Sequence, residues 1–361
     1  MTYIISIETE NPDYKTEQSN ILEFMKKIYP EFLHEKINRL YERSGINYRY
    51  SCIPDYNLGV ERVLYPNSEN LEPFPNIDKR LDIYHTEAKK LTIKTIKKLF
   101  NTIEKEKITH LITVSCTGMY APGLDLEIIE ELELNNEMYR TSVNFMGCYA
   151  AFHGMKQADY ICKSDKKAVV LVVCVELCTL HFMKDLDMNC VTSNAIFGDG
   201  CAALIMTNDK NLINEKTLEI KGFYSKIITS GKMDMGWNIT STAFKMILTE
   251  AIPNLIKNNI REVIDNILKK FDSNIEGINK WAIHPGGKKI VDNFALEMNL
   301  ERDKLINSYN VLEKYGNMSS PTVLFVLKDL IDTVDFNEKN NIFSCAFGPG
   351  ITIESMLLST R

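Results

Sequence analysis

The chain lacks any apolar run that could cross a membrane: none of its stretches reaches the roughly 18 to 20 residues that a membrane helix needs. It also lacks runs of lysine or arginine, and its net charge is -6, which excludes a basic field for nucleic acid or a basic membrane anchor. The segment Met1 to Ile7 has no basic region before its apolar residues and predicts a strand instead of a signal peptide. We therefore expect a cytoplasmic globular protein.

The cysteines also exclude some classes of protein. There are nine of them, an odd number, with no Cys-x-x-Cys pair and no cysteine–histidine set at zinc spacing. We therefore expect reduced thiols, no disulfide framework and no structural metal. The length of 361 residues suits one large domain or two halves that share a core.

Short β-branched strands alternate with helices from about residue 110 onward, which is typical of α/β folds. Residues 51–80 are rich in Pro, Asn and Asp and predict an irregular connection. The periodicity of apolar residues predicts helices at 17–29, from Pro30 to Gly45, from Ile83 to Lys105, after Pro122 and after Cys148.

The later part of the chain repeats the plan of the earlier part. Cys148 follows Ser115 by 33 residues, and Asn317 follows His284 by the same number. The matched segments are 111–118 with 280–287, 145–148 with 315–320, 168–175 with 341–347, and 202–206 with 351–358. We infer a duplicated α/β fold whose halves, residues 1–210 and 211–361, bring equivalent turns together in one site.

Cys148 is the candidate nucleophile. It follows Gly147 and precedes small and apolar residues at helical spacing, which places it at a helix N-terminus. Free backbone N–H groups and the positive end of the helix dipole would favour a thiolate there. The alternative is a small, inert core residue, as most free cysteines are.

His284 and Asn317 complete a coherent chemical set if the equivalent turns converge. A histidine can take the thiol proton or hold the thiolate as an ion pair, and an asparagine amide can donate to a developing oxyanion. Pro285, Gly286 and Gly287 shape a tight turn after the histidine, which favours function. The alternatives are a structural histidine and a helix-capping asparagine.

Three cations point the same way from the second predicted helix. Lys36, Arg39 and Arg43 fall within about 60° of one another at about 100° per residue. They fit either a solvated helix edge or a clamp for phosphate groups.

Five motifs follow one another along the chain: Gly147 to Ala150, Ala195 to Gly200, His284 to Gly287, Tyr315 to Ser320, and Phe347 to Gly350. With these motifs in this order, the sequence resembles the type III polyketide synthases, the chalcone synthase family, over nearly its whole length. Methionine in the Gly-Asn-Met-Ser-Ser motif separates it from the ketoacyl carrier-protein synthases of the same thiolase-like superfamily.

The resemblance implies a thiolase-like fold of duplicated α/β/α/β/α halves, a homodimer, and coenzyme A thioesters as substrates with no other cofactor. Ala121 stands where plant members place a methionine that crosses the dimer interface. The implied site residues are the catalytic Cys148, His284 and Asn317; the gatekeepers Phe197 and Phe244; the pocket residues Cys116, Cys178 and Ser319; and the coenzyme A-binding Lys36, Arg39, Arg43 and Gly286.

The implied reaction is decarboxylative condensation of malonyl-CoA onto an acyl group held on Cys148, followed by ring closure. The segments 176–182 and 234–237 resemble the bacterial branch, in which many members use fatty acyl starters and make alkylpyrones or alkylresorcinols. Cys116 occupies a position where some bacterial members that use malonyl-CoA alone have a cysteine, which leaves open a second reactive thiol or a plain pocket wall.

Three other functions fit the sequence less well. A carrier-protein-dependent ketoacyl synthase would need a basic patch, and the chain is acidic. A papain-like hydrolase would need a cysteine signature that is absent. A non-catalytic acyl-CoA-binding partner would not need Cys148, His284 and Asn317 together. The starter length, the number of extensions and the mode of cyclisation do not follow from the sequence.

Overall fold

The computed structural model describes residues 1–57 and 59–360. Its strands are β1 (Thr2–Glu10), β2 (Tyr14–Glu17), β3 (Tyr48–Ser51), β4 (His110–Ser115), β5 (Tyr139–Asn144), β6 (Val169–Leu177), β7 (Asp199–Thr207), β8 (Leu218–Ile227), β9 (Met235–Ile239), β10 (Phe244–Leu248), β11 (Lys280–Ile283), β12 (Asn341–Gly348) and β13 (Thr352–Thr360).

The longer helices lie between these strands, and short 3-10 turns occupy several of the connections. The helices are α1 (Gln18–Lys26), α2 (Glu31–Glu42), α3 (Ile77–Leu99), α4 (Leu124–Glu131), α5 (Ala150–Ser164), α6 (Met188–Ile196), α7 (Ile252–Lys270), α8 (Lys288–Met298), α9 (Ile306–Tyr315) and α10 (Thr322–Thr333). No helix in the described ranges is long and apolar enough to span a membrane.

The large sheet displays the duplication. Its order is β11-β12-β13-β8-β1-β7-β6-β4-β5, and the halves join where β1 and β8 pair over only three residues, Thr2 to Ile4. Strands β4 and β6 are parallel, as are β11 and β12, and the following pairs in each half are antiparallel. The strand order β4-β6-β7-β1 therefore matches β11-β12-β13-β8, which confirms the predicted duplicated α/β fold.

The duplication gives five layers, which are α3, the first half of the sheet, α5 with α10, the second half of the sheet, and α7 with α8. Helices α5 and α10 pack between the two halves of the sheet, where their apolar faces share one buried cluster with residues of β4, β6, β7, β12 and β13. Helix α3 covers the outer face of the first half, and α7 and α8 cover the outer face of the second. Strand β6 is buried along its whole length, as its run of valine and leucine requires.

One helix prediction needs correction, and one alternative is excluded. Helix α3 runs from Ile77 to Leu99, six residues earlier at both ends than predicted, because its polar first turn is capped by Asn76, whose side chain accepts from the Lys79 N–H at 3.2 Å. Asn317 is not a helix cap, since α10 begins only at Thr322. The two equivalent turns also differ in their approach, because a strand precedes Cys148 and a helix, α9, precedes Asn317.

Candidate active site

Glycines allow the turns of the two halves to meet at Cys148. The backbone of Gly147 is left-handed, with φ of +80°, and a Cβ there would lie 2.2 Å from Cδ of Pro349. A Cβ on Gly348 would lie 3.3 Å from the backbone nitrogen of Cys148 and 2.5 Å from the Tyr149 ring. Only glycine permits both close approaches. The loop before β13 therefore packs directly against the turn that carries the thiol.

Cys148 lies in the turn just before α5, which begins two residues later, and its side chain is buried. Burial raises the pKa of the Cys148 thiol to about 11, while hydrogen bonds from Ser319 and Asn317 act in the opposite direction and lower it. The placement at a helix start agrees with the sequence prediction. The predicted thiolate does not, because desolvation outweighs the favourable helix end in the free chain.

His284 directly follows β11. Its backbone N–H donates to the carbonyl oxygen of Cys345 at 2.9 Å. Its ring is 1% exposed, and neither ring nitrogen has a hydrogen-bond partner among the described residues. Burial lowers the pKa of His284 to about 3. The imidazole is therefore neutral in the free chain and forms no ion pair with Cys148, but it keeps one free donor and one free acceptor.

The backbone of Asn317 pairs with that of Phe197 where the two halves meet. The Asn317 N–H donates to the Ile196 carbonyl at 2.9 Å, and the Gly198 N–H donates to the Asn317 carbonyl at 3.0 Å, which makes a short parallel bridge. The side-chain amide donates to the carbonyl oxygen of Gly286 at 3.2 Å, and its oxygen accepts from the Ser319 N–H at 2.8 Å. These contacts orient the amide beside the Cys148 thiol and connect it to the His284 turn.

A cavity extends away from this point and opens to solvent, and the space free of protein atoms along it, with its mouth included, is about 840 Å³. Gly147 and Ser319 border its inner end, so the cavity adjoins Cys148, although Cys148, His284 and Asn317 do not themselves line it. The predicted pocket residues all line the cavity: Cys116, Cys178, Phe197, Phe244 and Ser319. Aliphatic, sulfur-containing and aromatic side chains dominate the rest of the wall, with Ile21, Met25, Met183, Cys190, Trp237 and Met246 among them.

His181, which the sequence interpretation gave no role, holds the gatekeeper Phe244. The two rings stack with centroids 4.3 Å apart, and the Phe244 N–H donates to His181 Nδ1 at 3.1 Å. Nε2 is 2.7 Å from the Thr117 carbonyl, which assigns the proton to that nitrogen. Burial lowers the pKa of His181 to about 3, so this arrangement does not titrate near neutral pH.

Glu176, at the inner end of β6, was also missed. Its fully buried carboxylate accepts from the Cys116 N–H at 2.9 Å, from the Thr117 hydroxyl at 2.8 Å and from the Ser320 hydroxyl at 2.6 Å. It thereby connects the two halves beside the cavity. Burial raises the pKa of Glu176 to about 7. The available signal was an acidic residue within the otherwise apolar strand 169–177.

The predicted clamp residues lie apart from the thiol. Lys36, Arg39 and Arg43 are exposed at α2 and its C-terminal end, and Arg39 pairs with Glu35. Gly286 lies beside the imidazole instead, since a Cβ there would be 3.6 Å from His284 Nε2. The cations are thus free to meet a ligand at the surface.

Comparisons with known proteins identify relatives over nearly the whole chain. Residues 1–210 match the N-terminal domain of chalcone and stilbene synthases, and residues 219–360 match the C-terminal domain. Among curated relatives, an alpha-pyrone synthesis polyketide synthase-like protein, Pks18 of Mycobacterium tuberculosis, is 28% identical over 90% of this chain and 82% of its own length. A putative chalcone synthase of Bacillus subtilis is 28% identical over 99% of both chains.

Solved structures agree as well. The polyketide synthase PKS-I of the brown alga Ectocarpus siliculosus superposes with a TM-score of 0.93 at 29% identity, covering 100% of this chain and 98% of its own. The 1,3,6,8-tetrahydroxynaphthalene synthase of Streptomyces coelicolor, at 22% identity and a TM-score of 0.88 over 99% of both chains, shares the fold.

Replacing Ser319 with alanine should raise the pKa of the Cys148 thiol further, because the hydroxyl hydrogen bond lowers it. A hydrogen bond to a charged group contributes about 1.5 kcal/mol, so we expect roughly tenfold less thiolate at pH 8. The measurement is the rate of iodoacetamide modification of Cys148 against pH, followed by peptide mass spectrometry. Ser193→Ala is the control, since Ser193 also lines the cavity but donates to the Asn189 carbonyl. An unchanged profile for Ser319→Ala would contradict the assignment.

Replacing Glu176 with glutamine should remove a pH dependence of folding stability. The carboxyl has a pKa of about 7 in the folded chain against 4.5 in the unfolded chain, so its ionisation opposes folding. This contribution is absent at low pH and grows as the pH rises from 4.5 to 7. Between pH 5 and 8, the free energy of unfolding of the wild type should fall by about 2 to 3 kcal/mol relative to the variant. Chemical denaturation at both pH values measures it, and parallel curves would refute the assignment.

Proposed function

The chain belongs to the chalcone and stilbene synthase family, the type III polyketide synthases, which are acyltransferases, and we propose that it extends a fatty acyl starter with malonyl-CoA. In this proposal Cys148 carries the acyl group, while His284 and Asn317 stabilise the enolate and the oxyanions. The products are alkylpyrones or alkylresorcinols. Coenzyme A thioesters are the substrates, and no further cofactor takes part.

The observation that carries the proposal is the apolar cavity that begins beside Cys148. Its walls are formed mainly by side chains such as Ile21, Met25, Phe182 and Met246, which favour an alkyl chain over a polar starter. Flexible methionine side chains can adapt to chains of different length. Phe197 and Phe244 border the same cavity and keep water from the acyl-enzyme.

In the first step Cys148 attacks the thioester carbonyl of the starter. The thiol is protonated in the free chain, so its proton passes to the free acceptor nitrogen of His284 as the sulfur–carbon bond forms. The tetrahedral intermediate collapses, the bond to the coenzyme A sulfur breaks, and the imidazolium returns the proton to that sulfur. The products are acyl-Cys148 and free coenzyme A.

In the second step malonyl-CoA binds with its thioester oxygen near the His284 N–H and the Asn317 amide. Loss of carbon dioxide leaves an enolate, whose oxygen accepts hydrogen bonds from these two donors. The enolate carbon then attacks acyl-Cys148. A carbon–carbon bond forms, the bond to the Cys148 sulfur breaks, and the lengthened chain remains on coenzyme A. Transfer back to Cys148 allows another extension before ring closure.

The exposed cations of α2 supply the coenzyme A contact in this scheme. Lys36, Arg39 and Arg43 can hold phosphate groups once Arg39 exchanges Glu35 for the ligand. Gly286 lies next to His284, and its lack of a side chain leaves room there for the pantetheine arm.

A homodimer formed through β5 is part of the proposal. This strand is the outer edge of the large sheet, and all but one of its residues are exposed, including Tyr139 at 72%. An exposed sheet edge is a template for pairing with a second chain.

The nine free cysteines are consistent with a reducing compartment, so we place the dimer in the cytoplasm.

Product analysis tests the function directly. Purified protein is incubated with isotopically labelled malonyl-CoA and acyl-CoAs of graded length, and the products are identified by mass spectrometry. We expect labelled pyrones or resorcinols that require a long acyl starter. Cys148→Ala should abolish them, because no other group carries the acyl chain. Cys162→Ala is the matched control, since Cys162 is also buried but lies near the C-terminal end of α5, away from the turn that carries Cys148, and it should keep activity within a few-fold.

Each other outcome of the product analysis supports a different function. Aromatic product from malonyl-CoA alone would replace the fatty acyl starter with the malonyl-CoA-only alternative, in which Cys116 is a candidate second thiol. Product only from carrier-protein-linked substrates would favour a ketoacyl synthase III-like enzyme. Coenzyme A binding without extension from any starter would refute the catalytic proposal.

Charge introduced on β5 tests the dimer. Sedimentation equilibrium should give twice the chain mass of 41.4 kDa for the wild type. Thr141→Asp should shift the protein toward the monomer, because two carboxylates would face each other across the twofold axis. Ser273→Asp adds the same charge at an exposed site after α7 and should leave the dimer intact. A wild-type monomer at micromolar concentration would exclude this interface.

A further inference from the structure

Arg49 is the only fully charged side chain among the described residues that line the cavity. It lies on β3, is 5% exposed and makes no ion pair within the described residues. Nε donates to Oε1 of Gln18 at 2.9 Å, and Nη1 donates to the carbonyl oxygens of Asn194 at 2.8 Å and Phe197 at 2.7 Å. Nη2 is buried without a partner in the described chain. Neutral acceptors alone thus hold this cation.

The same side chain covers the crossing of the two halves. A Cβ on Gly316 would lie 3.0 Å from Arg49 Cγ and 2.7 Å from the Ile196 carbonyl oxygen. A Cβ on Gly198 would lie 3.5 Å from Arg49 Cβ and 2.8 Å from the Tyr315 carbonyl oxygen. These two glycines flank the paired residues, Phe197 and Asn317. The aliphatic stem of Arg49 therefore packs over both strands of the bridge while its guanidinium holds the Phe197 carbonyl.

A buried cation without a carboxylate partner does not stabilise the fold, because neutral acceptors offset only part of the free energy lost when the cation leaves water. Such local costs are characteristic of functional sites. Within the described part of the chain, no hydrogen bond joins Arg49 to Cys148 or to His284. Its contacts run through the Phe197 backbone to Asn317, whose N–H and carbonyl are both engaged in the bridge.

We propose that Arg49 is a positioning residue that holds the Phe197–Asn317 bridge in register and so aims the Asn317 amide at the malonyl thioester. The inference rests on the proposed function, since it concerns the step that needs this amide. Loss of the guanidinium frees the Phe197 carbonyl, and the loss of the stem opens space above Gly316. Asn317 then shifts relative to the thiol, while Cys148 itself, on the other side of the site, keeps its place before α5.

The consequence is a selective defect. Release of carbon dioxide from malonyl-CoA leaves an enolate that needs the Asn317 donor. Transfer of the starter to Cys148 uses Asn317 only as one of two oxyanion donors and depends first on the thiol and on His284, so it should be affected less. We expect Arg49→Met to lower kcat for malonyl-CoA decarboxylation at least tenfold with little change in KM. Acylation of Cys148, measured by intact-protein mass spectrometry, should change by less than threefold. Arg49→Lys should restore part of the decarboxylation rate, because an ammonium can still donate to the Phe197 carbonyl.

Arg80→Met is the matched control. Arg80 is fully buried and is also held by carbonyl oxygens, those of Leu180, Phe182 and Pro75, but it lies away from the bridge. Its loss should affect both steps alike. If Arg49→Met does not fold, Gln18→Met is the second variant. It removes the acceptor of Nε and should lower decarboxylation selectively by a smaller factor.

The ratio of the malonyl-CoA decarboxylation rate to the Cys148 acylation rate decides between the outcomes. A selective loss in Arg49→Met that disappears in an Asn317→Ala background supports the proposal, because the two residues then act on one interaction. Equal loss of both steps, or an undiminished Arg49 effect without Asn317, overturns it. A wild-type protein that neither acylates Cys148 nor decarboxylates malonyl-CoA would overturn the proposed function itself, and with it this role for Arg49. The wild type alone reveals that case.

Discussion

The pairing of Phe197 with Asn317 is the contact on which the site depends. Two backbone hydrogen bonds join a segment of each half, and the glycines that flank the pair allow the backbones to approach within the distance that these bonds require. One residue of the pair supplies a wall of the cavity, and the other supplies the amide beside Cys148. A shift of one half against the other would therefore move the cavity wall and the Asn317 amide together.

Burial in the central region sets the protonation states of the site. It raises the pKa of the Cys148 thiol to about 11 and lowers the pKa of His284 to about 3, so both groups are neutral in the free chain. A neutral pair costs less to bury than an ion pair, and the free nitrogens of His284 remain available to a ligand. In the proposed reaction, proton transfer is therefore coupled to substrate attack, and the same exclusion of water would protect the acyl-enzyme thioester.

Buried polar groups around the cavity make its walls rigid. Glu176 holds the Cys116–Thr117 segment to Ser320, and the indole N–H of Trp237 donates to the carbonyl of Cys116 at 2.7 Å. These bonds connect strand β6, the hairpin of β9 and β10, and the turn before α10 into one network. These bonds fix the backbone around the cavity, while the methionine side chains of its wall keep their flexibility.

Some of this arrangement was readable from local patterns. The β-branched runs predicted seven strands of the large sheet but not β5 or β8. The equal spacing of Ser115 to Cys148 and of His284 to Asn317 predicted the duplication, because each half repeats one order of elements. The limits of α3 were missed, since its first turn carries a cap and charged residues instead of apolar ones. Glu176 and Arg49 were missed as site residues because their partners are distant along the chain.

The sequence by itself determined the fold class, the two equivalent halves and the residue types at the converging turns, since these follow from periodicity, spacing and motif. Only the tertiary structure decided the charge states and the partners. Whether Cys148 is a thiol or a thiolate depends on how completely water is removed from it, and burial is a property of the packed halves together. The crossing of Phe197 and Asn317, and the cation that covers it, likewise exist only once segments more than a hundred residues apart are packed against each other.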